Sequence, residues 1–449
     1  MKADFTNKFS QLTGKIETST NGYDRYLAVS IMFLFTLLCI LFARRIYSDG
    51  LGYWRYLPGL FIEKNISFKQ GYTIGVALME IPFFLIAHVF SIINNIYEAD
   101  GYSLPYQLGS FTAQIFYSNL GLIYVYKTLR KFYSVKTSVL ALAAIVFSTG
   151  LFYYSSGNFS HVFSFCAIAM FLYYVFKAYE TARIRDHIIA GLLLGIVACC
   201  RVPNAIVVLI YIFYGIKSPY EFIAKAKQKK TYIQFAVSFI SFLLVFTIQM
   251  LYWKYAFGSF IVNSYGDQGF PYLFNPQVYN VLFSLWRGLF IWHPIYLLVF
   301  AGFYFLFRDK NHSNHLFGTA VFFIIYIWIT SAWWCWWYGS SFGQRTFNDI
   351  LAVLALPLAA LIEKIDNISP HLFKKSLSPP IVKTAKHKDY FPVNRLPFAI
   401  LLVFISLFSV RNVNFALMVR KNLFPLNSPD IHGHLPYKFN DFMFILKHK

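Results

Sequence analysis

From Tyr26 to Ala43 the chain runs without a charge, held between Arg25 and the pair Arg44 and Arg45. About 18 such residues suffice to cross the hydrocarbon of a bilayer as a helix. In that medium only helices and closed barrels satisfy their own backbone. Comparable runs recur along the sequence, so the expected fold class is an all-α polytopic membrane protein. Composition agrees, with 57% of the 449 residues hydrophobic and 13% charged, against roughly 25% charged in a soluble domain. The first run ends in "LFARRIYSDG", basic and without a small-residue cleavage pattern, and reads as a retained anchor.

Eleven segments qualify as spans: 26–46, 108–127, 138–154, 159–179, 188–200, 203–216, 232–252, 287–307, 316–334, 347–363 and 396–412. Forty basic against nineteen acidic residues give a net charge of +21. In a soluble protein that excess would suggest nucleic acid. Here it sits in short loops between apolar runs, which the positive-inside rule and anionic headgroups explain, so nucleic acid is not an expected partner. Lys127, Arg130, Lys131 and Lys136 mark one cytoplasmic loop, Lys177, Arg183 and Arg185 a second, and Lys217 to Lys230 a third. The stretch 94–107 has no Lys or Arg and carries Glu98 and Asp100, so it belongs outside.

One further apolar segment, Tyr72 to Ile93, holds Glu80, Pro82 and His88 and decides the topology. If it crossed the membrane, the N-terminus would lie outside. If it lies along the outer surface or re-enters it, the N-terminus is cytoplasmic, and ionisable groups are cheaper at an interface than at the bilayer centre. The surface placement is adopted. It gives a cytoplasmic segment 1–25, a transmembrane domain 26–412 of about eleven helices, and an extracytoplasmic tail 413–449. Within the domain, 47–107 forms a large first external loop with a juxtamembrane helix. Pro203 in "CRVPNA" breaks the region from His187 to Ile216 into two short halves, with Arg201 near the outer surface. The stretch 370–395 is the plausible mobile connector.

The external face then collects the residues able to do chemistry. Asp49, in "SDGLGYWRYLP" with Tyr53 and Tyr56, is a carboxylate just beyond the first span; partial burial would raise its pKa toward that of a general base. It could equally cap a helix or balance Arg44 or Arg45. Arg345, in "SAWWCWWYGSSFGQRTFND", stands beside Ser340, Ser341 and Gln344, and a guanidinium binds phosphate through two parallel hydrogen bonds. The competing reading is an arginine snorkelling to headgroups above an aromatic belt of Trp333, Trp334, Trp336 and Trp337. Arg201 is a second candidate phosphate ligand, with a structural ion pair as its alternative. His161 and His293 sit at the external ends of their spans and are candidates for substrate contact or simple packing. Glu80 and Asp267 are weaker acid candidates. Five cysteines show no CxxC spacing, and Cys335 alone is placed near water, so neither a metal site nor a disulfide framework is expected. There is no Walker A loop, HExxH, GxSxG or dinucleotide-binding pattern.

In their order, "SDGLGYWRYLP", "GYTIGVALMEIPFFLIAH", "GYSLPYQ", "SGNFSHVFSF", "GLLLGIVACCRVPNA", "GLFIWHP" and "WWYGSSFGQRTFNDILAVLALPLAALIE" resemble the GT-C type integral-membrane glycosyltransferases. The bacterial branch related to protein O-mannosyltransferases and the lipid A aminoarabinose transferase is the one resembled, over residues 26–363. The resemblance implies a polyprenyl-phosphate sugar donor, transfer on the extracytoplasmic face of the plasma membrane, and an acid in the first external loop as catalyst, here Asp49. Many relatives have two adjacent acids there, whereas Gly50 follows Asp49; one base suffices for an inverting displacement, and no metal or other cofactor is expected. Where relatives show "RP", this chain has "RVP". The implied roles are Asp49 as base and Arg345 with Arg201 on the donor phosphate. His161, His293, Gln344 and Tyr53 would position donor or acceptor, and Tyr56, Glu80 and His88 complete the candidate substrate contacts. The acceptor hydroxyl could belong to lipid, protein or glycan, and the prenyl tail would lie among membrane lipid and helices. A transporter or flippase for a lipid-linked glycan is the alternative, although it should show charges near the bilayer midplane and two related halves.

Overall fold

The structure is a computed structural model that describes residues 22–216, 219–266, 268–308, 313–368 and 396–420. Most of the expected N-terminal segment and C-terminal tail, the connector 370–395 and Asp267 lie outside the described residues. The described residues form helices, with no strand among them.

The first part of the chain comprises α1 (Gly22–Leu41), α2 (Asp49–Trp54), α3 (Tyr56–Phe61), α4 (Gly75–Asn94), α5 (Leu104–Leu129), α6 (Val135–Ser148), α7 (Leu151–Tyr154) and α8 (Ser160–Thr181). After α9 (Ile184–Cys200) a 3-10 turn, Val202–Val207, leads into α10 (Val208–Ile212), α11 (Pro219–Ala226) and α12 (Lys229–Phe257). Then come α13 (Val278–Phe283), α14 (Leu289–Trp292), α15 (Ile295–Arg308) and α16 (Ser313–Ala332), a second 3-10 turn Arg345–Asn348, α17 (Leu351–Ile368) and α18 (Leu396–Arg420). The expected spans fall largely on helix, but 203–216 covers the 3-10 turn and the short α10, and 287–307 is broken between α14 and α15. By length and composition, α4, α8, α12 and α18 can each cross a membrane, and shorter apolar helices stand beside them.

Helices that are apolar on all sides are either central or bathed in lipid, and both kinds occur. α8 is buried along most of its length against α5 and α9. α12 instead turns Phe239, Ile240, Leu244 and Leu251 outward, as a helix at the lipid boundary does. The break after α9 is where the sequence places it: Arg201 adopts extended backbone (φ −156°, ψ 110°), and Pro203 opens the 3-10 turn, where its missing N–H costs nothing.

The segment expected along the outer surface is the helix α4, long and apolar enough to cross a membrane. α4 runs antiparallel to α5: Tyr117 donates to the Met79 carbonyl at 2.8 Å, Ser110 to Glu80 at 2.9 Å, and His88 meets Tyr106 at 2.6 Å. Its N-terminal end is pinned to the break after α9, where Thr73 Oγ1 donates to the Cys200 carbonyl (2.7 Å) and the Ile74 N–H donates to Gln249 Oε1 on α12 (2.9 Å). Only glycine fits at position 75, since a Cβ there would lie 2.3 Å from the Cys199 carbonyl carbon. All five cysteines are free and buried, Cys335 included, although the sequence alone places it near water.

Candidate active site

Beyond α1, Ser48 takes a left-handed φ of 51° and sets Asp49 at the first position of α2. α2 lies so close to the loop before α8 that a Cβ on Gly50 would meet the Asn158 carbonyl oxygen at 2.6 Å. Asp49 is thereby delivered to Arg345, the first residue of the second 3-10 turn, whose Nη1 lies 2.8 Å from Asp49 Oδ2. The other carboxylate oxygen accepts a 3.1 Å hydrogen bond from the Tyr72 hydroxyl. Tyr53 packs edge-on against Tyr72 with ring centres 4.8 Å apart. The loop after α12 reaches across this pair: Ser264 donates to the Gly71 carbonyl (3.1 Å), and Tyr265 packs on Trp333.

A second ionic group adjoins the first. Asp349 is wholly buried; its Oδ1 lies 2.6 Å from His161 Nδ1 and its Oδ2 accepts from Asn204 Nδ2 at 2.7 Å. Arg201 Nε is 3.5 Å from the same Oδ2, and Arg201 Nη1 is 3.1 Å from His161 Nδ1. The break in α9 therefore has a chemical result, for it turns both Arg201 and Asn204 toward Asp349. The two groups interact, His161 acting on Asp49 and Arg201 on Arg345. Two carboxylates face two guanidinium groups, and their charges balance.

The electrostatics of Asp49 reverse the expectation from sequence. Burial does push its carboxyl pKa upward, but the Arg345 charge and the Tyr72 hydrogen bond together outweigh it and hold the pKa below the ordinary 3.8. Asp49 is thus a carboxylate at neutral pH, held by a cation. Burial works against the charge of Arg345, but Asp49, together with Tyr154 and Tyr53, more than offsets it, so the guanidinium stays protonated. The Tyr72 hydroxyl is raised by burial and by Asp49 and remains a donor.

Of the other candidates, several support the cluster without entering it. Gln344 is buried and donates to the Trp336 carbonyl at 3.1 Å. His293 bonds Asn412 of α18 (2.9 Å) and packs under Phe342, bracing the loop that carries Arg345. Tyr56 donates to the Tyr72 carbonyl (2.6 Å) and packs on Tyr252, holding the backbone that presents Tyr72. Glu80 and His88 stand apart at the α4–α5 contact, Glu80 fully buried on Ser110. Tyr72, Asn204, Tyr265 and Asp349 were not singled out from sequence as site residues. The available signal was Asp349 itself, a lone acid at the head of an apolar run, because ionisable groups at membrane depth are rarely incidental. Among the described residues no group of three His, Cys, Asp or Glu is arranged to hold a metal.

Residues 107–253, about a third of the chain, match the family described as dolichyl-phosphate-mannose-protein mannosyltransferase. The fold is similar to that of the oligosaccharyltransferase of Archaeoglobus fulgidus in its apo form, with TM-score 0.54, 13% identity, and coverage of 94% of this chain and 60% of that one. It is similar also to the archaeal oligosaccharyltransferase AglB of the same organism in complex with an inhibitory peptide and a dolichol-phosphate (TM-score 0.54, 11% identity, 88% and 56% covered). ArnT from Cupriavidus metallidurans bound to undecaprenyl phosphate matches at TM-score 0.49 and 11% identity, with 80% and 63% covered. The chain thus spans less than two thirds of the length of these structures. No curated protein matches it in sequence. The chain is a multi-pass helical membrane protein that resembles, in fold over most of its length and in sequence over residues 107–253, the GT-C type membrane glycosyltransferases related to protein O-mannosyltransferase.

Proposed function

We propose that the protein transfers a sugar from a polyprenyl-phosphate-linked donor to a hydroxyl acceptor on the extracytoplasmic face of the membrane. The observation that carries this reading is the junction of Asp49 with Arg345, beside Arg201, in the segments between the long helices. Transfer at an anomeric carbon develops positive charge on the sugar and negative charge on the departing phosphate. Asp49 takes the proton of the acceptor hydroxyl, whose oxygen bonds to the anomeric carbon. The bond from that carbon to the phosphate oxygen breaks, its electron pair staying on the phosphate, where Arg345 and Arg201 stabilise it. His161, bonded to Asp349, and Tyr53, packed on Tyr72, hold the groups that face the substrate. Dolichol-phosphate in the archaeal AglB structure supports a lipid phosphate as the leaving group.

The lipid tail has an apolar place to go. A cavity of about 500 Å³ is lined by Ala205, next to Asn204, and by Leu194, Phe235 and Phe242, with Lys225 among its walls. Branched isoprene units suit such a surface.

The test is mass-spectrometric turnover of a panel of polyprenyl-phosphate sugars by the purified protein, with membrane extract supplying acceptors. Consumption of one donor by the parent chain, and not by Asp49→Asn, is the expected result. Binding of donors with no consumption would overturn the reading and favour a carrier of lipid-linked glycans.

A further inference from the structure

Arg345 offers more donors than its resting contact uses. Nη1 meets Asp49, while Nε is buried without a hydrogen-bond partner. A guanidinium with donors to spare is equipped for an anion with two oxygens to offer. Asp49, for its part, has both oxygens engaged, one by Arg345 and one by Tyr72. Arg201 is placed differently, being committed to the wholly buried Asp349. The two arginines are equally exposed, at 22% and 21%, but Asp349 is wholly buried whereas Asp49 is 27% exposed, so the Arg345–Asp49 pair is the one that can open to substrate.

We infer that Arg345 changes partners during the reaction: it holds Asp49 before substrate arrives and passes to the donor's phosphate as Asp49 takes up the acceptor's proton. The inference rests on the proposed function and adds a coupling to it. The bookkeeping of charge supports it. The four ionic groups sum to zero, and a phosphodiester donor adds one negative charge. In the reaction the acceptor O–H bond breaks and its proton neutralises Asp49, while the acceptor oxygen bonds to the anomeric carbon. The bond from that carbon to the phosphate oxygen breaks, and the phosphate keeps the pair and gains a second charge. The total is unchanged, but the anion most attractive to Arg345 has moved from the carboxylate to the phosphate. One side chain thereby links proton transfer to departure of the leaving group, and the base is held unavailable until a phosphate competes for its cation.

Asp49→Asn imitates the protonated state, so it should release Arg345 while abolishing transfer. The experiment measures binding of farnesyl phosphate to the detergent-purified full chain by calorimetry, with farnesol as uncharged control. The proteins are the parent, Asp49→Asn, Asp49→Ala, Arg345→Ala and the double variant Asp49→Asn/Arg345→Ala, each checked by circular dichroism. Asp49→Asn should bind farnesyl phosphate at least about fivefold tighter than the parent, the lower end of coupling between linked sites. Arg345→Ala should bind it more weakly, and Asp49→Asn should give no gain in that background. Asp49→Ala serves in place of Asp49→Asn should the latter not fold. Unchanged or weaker binding by the Asp49 variants overturns the inference, as does a gain that persists without Arg345, which would be simple relief of repulsion. If the parent prefers farnesyl phosphate no more than farnesol, the phosphate site and the proposed function fall as well.

Discussion

His161 Nδ1 and Asp349 Oδ1 stand 2.6 Å apart, joining the first turn of α8 to a residue 188 positions further along the chain. The same carboxylate takes Asn204 and Arg201 on its other oxygen. One buried side chain therefore fixes three others that border Asp49. Removing one member of a buried ionic group leaves the rest uncompensated, which costs more than the group contributes when whole. Asp349→Ala is expected to lower stability by about 3 kcal/mol. Asp349→Asn, which turns an amide N–H toward donors already present, should also reduce transfer. Thermal unfolding in detergent with and without donor checks the first, and the separate effects on kcat and KM check the second.

The pH profile of transfer follows from Asp49. A base acts only when deprotonated, and a carboxyl held below its ordinary pKa stays deprotonated to lower pH. The acid limb of kcat/KM should therefore fall below pH 4, the region of an ordinary carboxylate. Tyr72→Phe removes one of the influences that depress Asp49, so its acid limb should move to higher pH with transfer otherwise retained. A limb that does not move, or moves downward, would assign the limb to another group.

Much of this arrangement is legible in the sequence for reasons of charge. Uncharged runs bounded by Arg and Lys locate the helices, Pro203 marks the break after α9, and Asp49 and Arg345 stand out as isolated charges at span ends. That the two meet is not legible, because nothing in "SDGLGYW" or "FGQRTFN" specifies a partner. Asp349 resembles a headgroup-level acid until His161, Asn204 and Arg201 are seen around it. The packing of α4 on α5 is hidden for a different reason: hydropathy reports how long an apolar segment is and not what it packs against, here Tyr117 and Ser110, with Gly75 against the Cys199 backbone.

Glu80 supplies a contrast with Asp49. It is fully buried at the α4–α5 contact, with Ser110 on one oxygen and no hydrogen-bond partner on the other. Glu80→Gln keeps the shape and the bond from Ser110 while removing an ionisable group that burial already disfavours as a charge. Transfer should stay within about threefold of the parent, less than the roughly 100-fold that loss of a general base costs, and thermal stability should be equal or higher. A loss as large as that of Asp49→Asn would place Glu80 among the reacting groups.

Gly75 makes a test of position without chemistry. Its substitution by alanine would press a methyl against the Cys199 backbone, and backbone cannot rotate away as a side-chain tip can. Overpacking of this kind costs about 1 to 3 kcal/mol. Because Cys199 lies two residues before Arg201, Gly75→Ala should reduce kcat as well as stability. The check is activity per folded molecule, with folded protein quantified by size-exclusion chromatography.

The ionic cluster also dictates when during synthesis the site can exist. Asp49 follows the first helix into the membrane, whereas Arg345 and Asp349 arrive only after α16. Until then the nascent chain carries an acid with no cation, and it tolerates this because Asp49 lies past the end of α1, within reach of water. Arg201 and His161 wait in the same way for Asp349. A chain released before the second 3-10 turn would thus be inert rather than partly active, its charges unmatched.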